Sequence, residues 1–322
     1  MTESPSPNLP TSENLSPLGI QITDVTLRDG LQTETKTIPT DQKIRLFKKL
    51  VACGYSRLEI TGFVNPKWVP QFSDAEQLCK QLFSEPVSCD TMAFVPNEKG
   101  LERMLPYPIS WAGCFIATSE AFNKKNVNAT PEETLSVLAT IISRAHREKR
   151  RVRVYVSTVF GCPYEGRLSD DVVWSRLKAV AELRPDEIAL SDTIGVATPH
   201  QTKRVLEKFF TWYPSEKTAL HLHNTYGLAV ASALAGYECG VRRFDGSTGG
   251  VGGCPYAAGA TGNVACEDLL FAFFREGYLP EFETHAQQSV WEELSRLGLS
   301  TRSRIGDVVT KGSKVFLHRE QG

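Results

Sequence analysis

The feature that most constrains the fold is an alternation running down most of the chain: short runs rich in Val, Ile and Phe, each followed by a longer amphipathic stretch. Eight such runs begin near Ile20, Arg57, Ser88, Ser110, Arg151, Glu187, Ala219 and Arg243. Parallel strands need a crossover of a dozen residues or more, and an amphipathic helix is the usual one. In DQKIRLFKKLVACG the apolar Ile44, Phe47, Leu50 and Val51 share a helical face and Gly54 follows the end. PEETLSVLATIISRAHREKR has Thr130 before it as a cap and Pro131 in its first turn. Eight strand and helix pairs over about 260 residues match the usual size of a closed (β/α)8 barrel. An open doubly wound sheet is the alternative, but no GxGxxG follows the first run. The expected fold is therefore α/β, a (β/α)8 TIM barrel over residues 19–277. A tail, residues 1–18, precedes it, and a C-terminal helical extension, residues 278–322, follows with the pattern ETHAQQSVWEELSRLG.

Composition narrows the class. A chain with 41% hydrophobic and 23% charged residues is ordinary globular material. Its formal net charge of −1 offers no field for nucleic acid or an anionic membrane, so a small-molecule substrate is expected and neither of those partners is. No run approaches the roughly 18 apolar residues of a spanning helix. Residues 1–18 are rich in Ser, Pro and Asn, contain Glu3 and Glu13, and have neither a basic residue nor an apolar core. They read as a disordered tail, not a secretory signal or transit peptide. The cysteines at 53, 79, 89, 114, 162, 239, 254 and 266 form no CxxC pair, which points to reduced thiols and a cytoplasmic location.

Chemistry concentrates at three places. IQITDVT runs directly into LRDGLQ, setting Arg28 and Asp29 just past the C-terminal end of a strand, the catalytic face of a barrel. A carboxylate beside a fixed positive charge suits a divalent ion and an oxyanion, although a surface ion pair with Gly30 making the turn has the same pattern. TALHLHNTYG puts His221 and His223 two residues apart, so strand alternation turns both imidazoles to one side. Hydrogen-bonded core histidines are the bland alternative, and a compact ligand pair is the sharper one. With Asp29 they make a mixed oxygen and nitrogen set that suits Mg²⁺ or Mn²⁺; ligand type alone does not exclude Zn²⁺. Finally, GGVGGCPYAAGATGNVACEDL is a glycine-rich loop carrying Cys254 and Asn263 into a helix that contains Glu267. Glycines allow close approach and loop movement, and a cysteine there is a candidate proton donor or acceptor. A small buried filler is the commoner fate of a lone cysteine.

Together TLRDGLQ, LEITGFVNPKWVPQ, GCPYEG, SDTIGVATP, HLHNTYGLA and the cysteine loop resemble the hydroxymethylglutaryl-CoA lyases, members of the DRE-TIM metallolyases, over about residues 20–275. The resemblance implies a metal-dependent carbon–carbon lyase that turns 3-hydroxy-3-methylglutaryl-CoA into acetoacetate and acetyl-CoA, working as a homodimer on an acyl-CoA substrate. It implies Asp29, His221, His223 and Asn263 as ligands of Mg²⁺ or Mn²⁺, Arg28 as the stabiliser of an enolate oxygen, and Cys254 in proton transfer. It further implies Glu59 as a catalytic glutamate, Asp192 as an acid near the metal, Glu267 as a glutamate supporting the site, and Lys125 and Asn126 as contacts of the CoA moiety. Departures are modest: TLRDG stands where many lyases have GPRDG, and Asn224 where some have an acid. A lyase for another 3-hydroxyacyl-CoA is one alternative. A Claisen-type synthase sharing RDG and HxH is the other, but those enzymes lack the cysteine loop and often carry a further regulatory domain.

Overall fold

The eight apolar runs become eight parallel strands: β1 Gln21–Asp24, β2 Arg57–Gly62, β3 Asp90–Phe94, β4 Trp111–Ala117, β5 Arg151–Ser157, β6 Glu187–Asp192, β7 Thr218–Leu222 and β8 Arg243–Gly246. Each pairs with its neighbours in chain order, and β8 closes on β1 with Thr23 opposite Asp245. The computed structural model describes residues 19–253 and 262–312. The expected N-terminal tail, the chain's last residues and Cys254 lie outside the described residues. Every strand starts within two positions of its expected place, because period-2 patterning and flanking turn residues are local signals.

The connecting helices are α1 Thr40–Ala52, α2 Ala75–Leu82, α3 Glu98–Met104, α4 Glu120–Val127, α5 Pro131–Arg147, α6 Asp170–Glu182, α7 Pro199–Phe209 and α8 Ala229–Glu238; α9 Cys266–Arg275, α10 His285–Leu297 and α11 Arg304–Thr310 follow β8. At the start of α5, Thr130 and Glu133 form a reciprocal capping box, satisfying amides that the first turn would otherwise leave unpaired. The buried stripe of α1 is rotated from the expected one: Lys43, Leu46, Phe47 and Leu50 are buried, while Ile44 and Val51 are half-buried. Lys43 turns inward because its ammonium meets Asp74 Oδ1 at 2.6 Å and the Gln71 carbonyl. Gly54, at φ +72°, turns the chain out of α1.

The two largest apolar clusters among the described residues hold the barrel. The larger lies between sheet and helices, where Leu46, Leu50, Ile60, Leu101, Ile141, Leu177 and Leu206 are fully or nearly fully buried. The smaller is inside the barrel and contains Met92, Trp111, Tyr155, Ala189 and Ala219. Aliphatic layers usually fill such an interior. Here much of the remaining volume is occupied by ion pairs, described below. The C-terminal extension supplies two helices, one more than its sequence pattern suggested. α10 lies along α1, with Lys49 donating to the Ser289 carbonyl and Arg45 pairing with Glu293 at 3.3 Å. None of the helices among the described residues is long and apolar enough to cross a membrane.

Candidate active site

After β1, Thr26–Gly30 forms a single wide turn in which the Gly30 amide donates to the Val25 carbonyl at 3.0 Å. Such π-type turns recur at functional sites because the widened backbone re-aims side chains. This one delivers Arg28 and Asp29 to the C-terminal mouth of the barrel, as the position of RDG in the sequence leads one to expect. His221 comes from the last part of β7 and His223 from just beyond it, their ring centroids 5.4 Å apart. One ligand atom from each of Asp29, His221 and His223 lies within 4.8 Å of the other two. Asp29 Oδ2 is 4.0 Å from His221 Nε2 and 3.7 Å from His223 Nε2. A hard carboxylate oxygen and two imidazole nitrogens converging at this spacing fit a divalent cation. Asn263 reaches the same place through a bridge with His223, and its Nδ2 donates to Asp29 Oδ2 at 3.0 Å. To act as a ligand Asn263 would present Oδ1, a half-turn of the amide.

The charges around these groups set their protonation. Burial alone would raise the Asp29 carboxyl, but the Arg28 guanidinium and the adjacent imidazoles hold it well below the usual carboxylate range. Arg28 bonds Asp29 on one side and, through Nε, Glu59 Oε2 at 2.7 Å on the other. Tyr155 donates its hydroxyl to the same Glu59 oxygen at 3.0 Å. Glu59 is fully buried, and burial pushes its carboxyl above the ordinary range despite the attraction of Arg28. Its second oxygen, Oε1, has no hydrogen-bond partner among the described residues.

Arg28, Asp29, His221 and His223 line a cavity of about 950 Å³ that extends to Lys125 and Asn126 on α4. Lys125 Nζ sits 4.0 Å from the centre of the Tyr164 ring, and Lys99 and Lys125, both exposed, bring positive charge to the edge of the cavity. Two further expected participants, Asp192 and Glu267, do not line the cavity. Asp192 stands beside His223, but its oxygens accept the amides of Gly195, Val196 and Ala197, so it shapes the loop after β6. Glu267 accepts from the Gly249 amide at 3.0 Å and from Trp291 Nε1 at 2.8 Å, outside the cavity lining. These bonds tie it to the loop after β8 and to α10. Asn224 Oδ1 accepts from the Ala229 amide at the start of α8, so the exchange of an acid for an amide there does not alter the ligand cluster.

Tyr155, Arg153 and Asp245 went unnoticed in the sequence. Asp245 Oδ2 lies 3.0 Å from His221 Nδ1, and its Oδ1 accepts from Arg153 Nη2 at 2.6 Å. The available signal was weak: in RVRVYVS the inward positions of a barrel strand carry Arg153 and Tyr155 where aliphatic residues are usual.

The sequence profile of the HMGL-like family matches residues 19–293. The chain belongs to the HMGL-like family. Among relatives in it, hydroxymethylglutaryl-CoA lyase of Bacillus subtilis is 41% identical over 79% of this chain and 85% of its own length. The Pseudomonas mevalonii hydroxymethylglutaryl-CoA lyase is 36% identical over 89% and 95%. A Pseudomonas aeruginosa relative, 38% identical over 79% of this chain and 85% of its own, is named a 3-hydroxy-3-isohexenylglutaryl-CoA/hydroxymethylglutaryl-CoA lyase. The crystal structure of the Bacillus subtilis HMG-CoA lyase superposes with a TM-score of 0.86 at 36% identity, covering 92% of this chain and 99% of that one. An HMG-CoA lyase from Acinetobacter baumannii in complex with coenzyme A and 3-methylmalate gives 0.84 at 33% identity, covering 94% and 97%. The HMGL-like match thus spans the barrel and extends through most of α10.

Proposed function

We propose that this chain is a divalent-metal-dependent lyase that cleaves 3-hydroxy-3-methylglutaryl-CoA to acetoacetate and acetyl-CoA. The observation that carries the reading is the convergence of Arg28 with Asp29, His221 and His223 at the reacting end of one cavity, in a chain whose relatives are named for this activity. Asp29, His221 and His223, joined by Asn263, would hold Mg²⁺ or Mn²⁺, which would supply polarisation of the substrate's hydroxyl and orientation of the bond to be broken. His221, Asp29 or a water at the site takes the proton of the tertiary hydroxyl, the C2–C3 bond breaks, C3 becomes the ketone of acetoacetate, and the bonding pair moves onto the thioester as an enolate. The Arg28 guanidinium stabilises the enolate oxygen, a contribution of about 3–4 kcal/mol for a well-placed donor. Cys254 returns a proton to C2, giving acetyl-CoA, and the buried Glu59 keeps Arg28 aimed while offering a second group able to exchange a proton. Lys125 and Asn126 meet the CoA moiety. The enzyme works as a cytoplasmic homodimer.

A larger C3 substituent is a second substrate of the same chemistry, supported by the Pseudomonas aeruginosa relative's name and by the size of the cavity. The deciding assay incubates purified protein with hydroxymethylglutaryl-CoA and Mg²⁺ or Mn²⁺ and measures acetoacetate and acetyl-CoA, with the isohexenyl analogue run in parallel. Cleavage is expected to stop with EDTA and to fall about 100- to 1000-fold in Arg28→Gln. No cleavage of either thioester with metal bound would sink the proposal.

A further inference from the structure

Six side chains from five strands form a continuous path of ion pairs from the N-terminal end of the barrel up to the ligand cluster. Glu187, at the start of β6, receives Arg57 at 3.1 Å, Arg153 at 3.1 Å and Arg243 at 3.1 Å. Arg153 is fully buried and reaches onward to Asp245 at 2.6 Å, and Asp245 meets His221 Nδ1 at 3.0 Å. None of the groups behind His221 lines the cavity. The contact with His221 is also set by strand register, since His221 and Asp245 are directly opposed residues of β7 and β8.

We infer that Asp245, held by Arg153, is a positioning residue that keeps His221 in the tautomer with hydrogen on Nδ1 and a lone pair on Nε2. A carboxylate can only accept, so the ring nitrogen facing it carries the hydrogen. Arg153, anchored in turn by Glu187, keeps Asp245 an acceptor and fixes the plane of its carboxylate. The lone pair is thereby presented toward Asp29, where a ligand atom or a base is required. Outer carboxylates of this kind orient metal-bound imidazoles and raise their basicity. This inference rests on the reading of Asp29, His221 and His223 as metal ligands, but the tautomer itself is a property of the metal-free protein.

The test uses the full chain with ¹⁵N-labelled histidine rings, freed of metal and held well above the ordinary imidazole pKa of about 6.5. Long-range ¹H–¹⁵N correlation spectra report which ring nitrogen of His221 bears hydrogen, its signals assigned by their loss in His221→Gln. The expected spectrum has hydrogen on Nδ1 and none on Nε2, and in Asp245→Asn that preference is lost. Mn²⁺ titration followed by electron paramagnetic resonance should show Kd rising about 10- to 100-fold in Asp245→Asn. Hydrogen on Nε2, or on both nitrogens, in the unsubstituted protein overturns the inference. So does a folded Asp245→Asn that binds Mn²⁺ within about twofold of the unsubstituted protein, given the 10-fold minimum expected of such a partner. If Asp245→Asn does not fold, the spectrum of the unsubstituted protein decides alone. The expected tautomer in a protein that binds no Mn²⁺ would defeat the metal-site reading and leave the positioning role standing.

Discussion

Two sets of buried carboxylates are built in opposite ways. Half-buried Asp29 at the barrel's mouth and buried Glu187 and Asp245 inside it face guanidinium groups, and although burial raises each of them, Arg28, Arg57 and Arg153 bring all three below their ordinary values. At the rim after β8, Asp24, Glu267 and Asp268 are held by hydroxyl, backbone and indole donors, and all three are pushed up by burial, Glu267 to about 7. Asp24 takes Thr26 and Thr248, Glu267 takes Gly249 and Trp291, and Asp268 takes Ser303, Arg304 and Ile305. The interior set keeps permanent charge where ligands must be ionised and oriented. The rim set ties α9, α10 and the segment around Ser303 to the loop that leads toward Cys254, using bonds whose strength depends on protonation. Glu59 sits between the two designs, with an arginine partner and still a raised carboxyl.

The largest expected effect comes from breaking the interior set. Arg153→Met leaves Asp245 and Glu187 short of a partner in a dry interior, and should cost about 3–5 kcal/mol of unfolding free energy in urea. A loss below about 1 kcal/mol, the range of an exposed pair, would mean the interior network is not what stabilises those acids.

The rim set should respond to pH instead. Unfolded, Glu267 ionises near 4.5; folded, near 7. Below the lower value both states are neutral and the full stability is present. As pH rises between the two the unfolded chain gives up its proton first, so stability falls, and above about 7 the loss is complete. At about 1.4 kcal/mol per unit, that amounts to about 3 kcal/mol. Glu267→Gln cannot titrate, so the stability difference between it and the unsubstituted protein should shift by this amount across the window. Parallel pH profiles for the two proteins would show that Glu267 does not hold its proton.

A smaller effect sharpens the same contrast. Trp291→Phe keeps the ring and removes one N–H from Glu267, for an expected cost of about 1–2 kcal/mol in thermal unfolding. Because the lost donor favours the ionised form, the cost should be larger above pH 7 than below 5, checked by melting at both. An equal cost at the two pH values would assign the effect to packing alone.

Much of this was legible in the chain. Period-2 runs and helical stripes located the strands, and RDG and HxH fell at strand ends where a barrel places its chemistry. The bond from Asp245 to His221 was not legible, since an aspartate in VRRFDG looks like any strand terminus until β7 and β8 are in register. The hydrogen bonds of Asp192 and Glu267 were not legible for a related reason: their oxygens accept from backbone amides whose directions depend on loop geometry, not on residue type.

By itself the sequence determined the α/β alternation, the closed barrel and the residue types able to hold a divalent cation, because these rest on local periodicity and on short motifs at strand ends. Only the tertiary structure decided which charges meet. Arg57, Arg153, Glu187, Arg243 and Asp245 are scattered over four strands and come together when β8 closes on β1. Whether a buried charge is balanced by an arginine or by neutral donors depends on separations of a few ångströms in a low-dielectric interior, and those separations are set by strand register and ring closure.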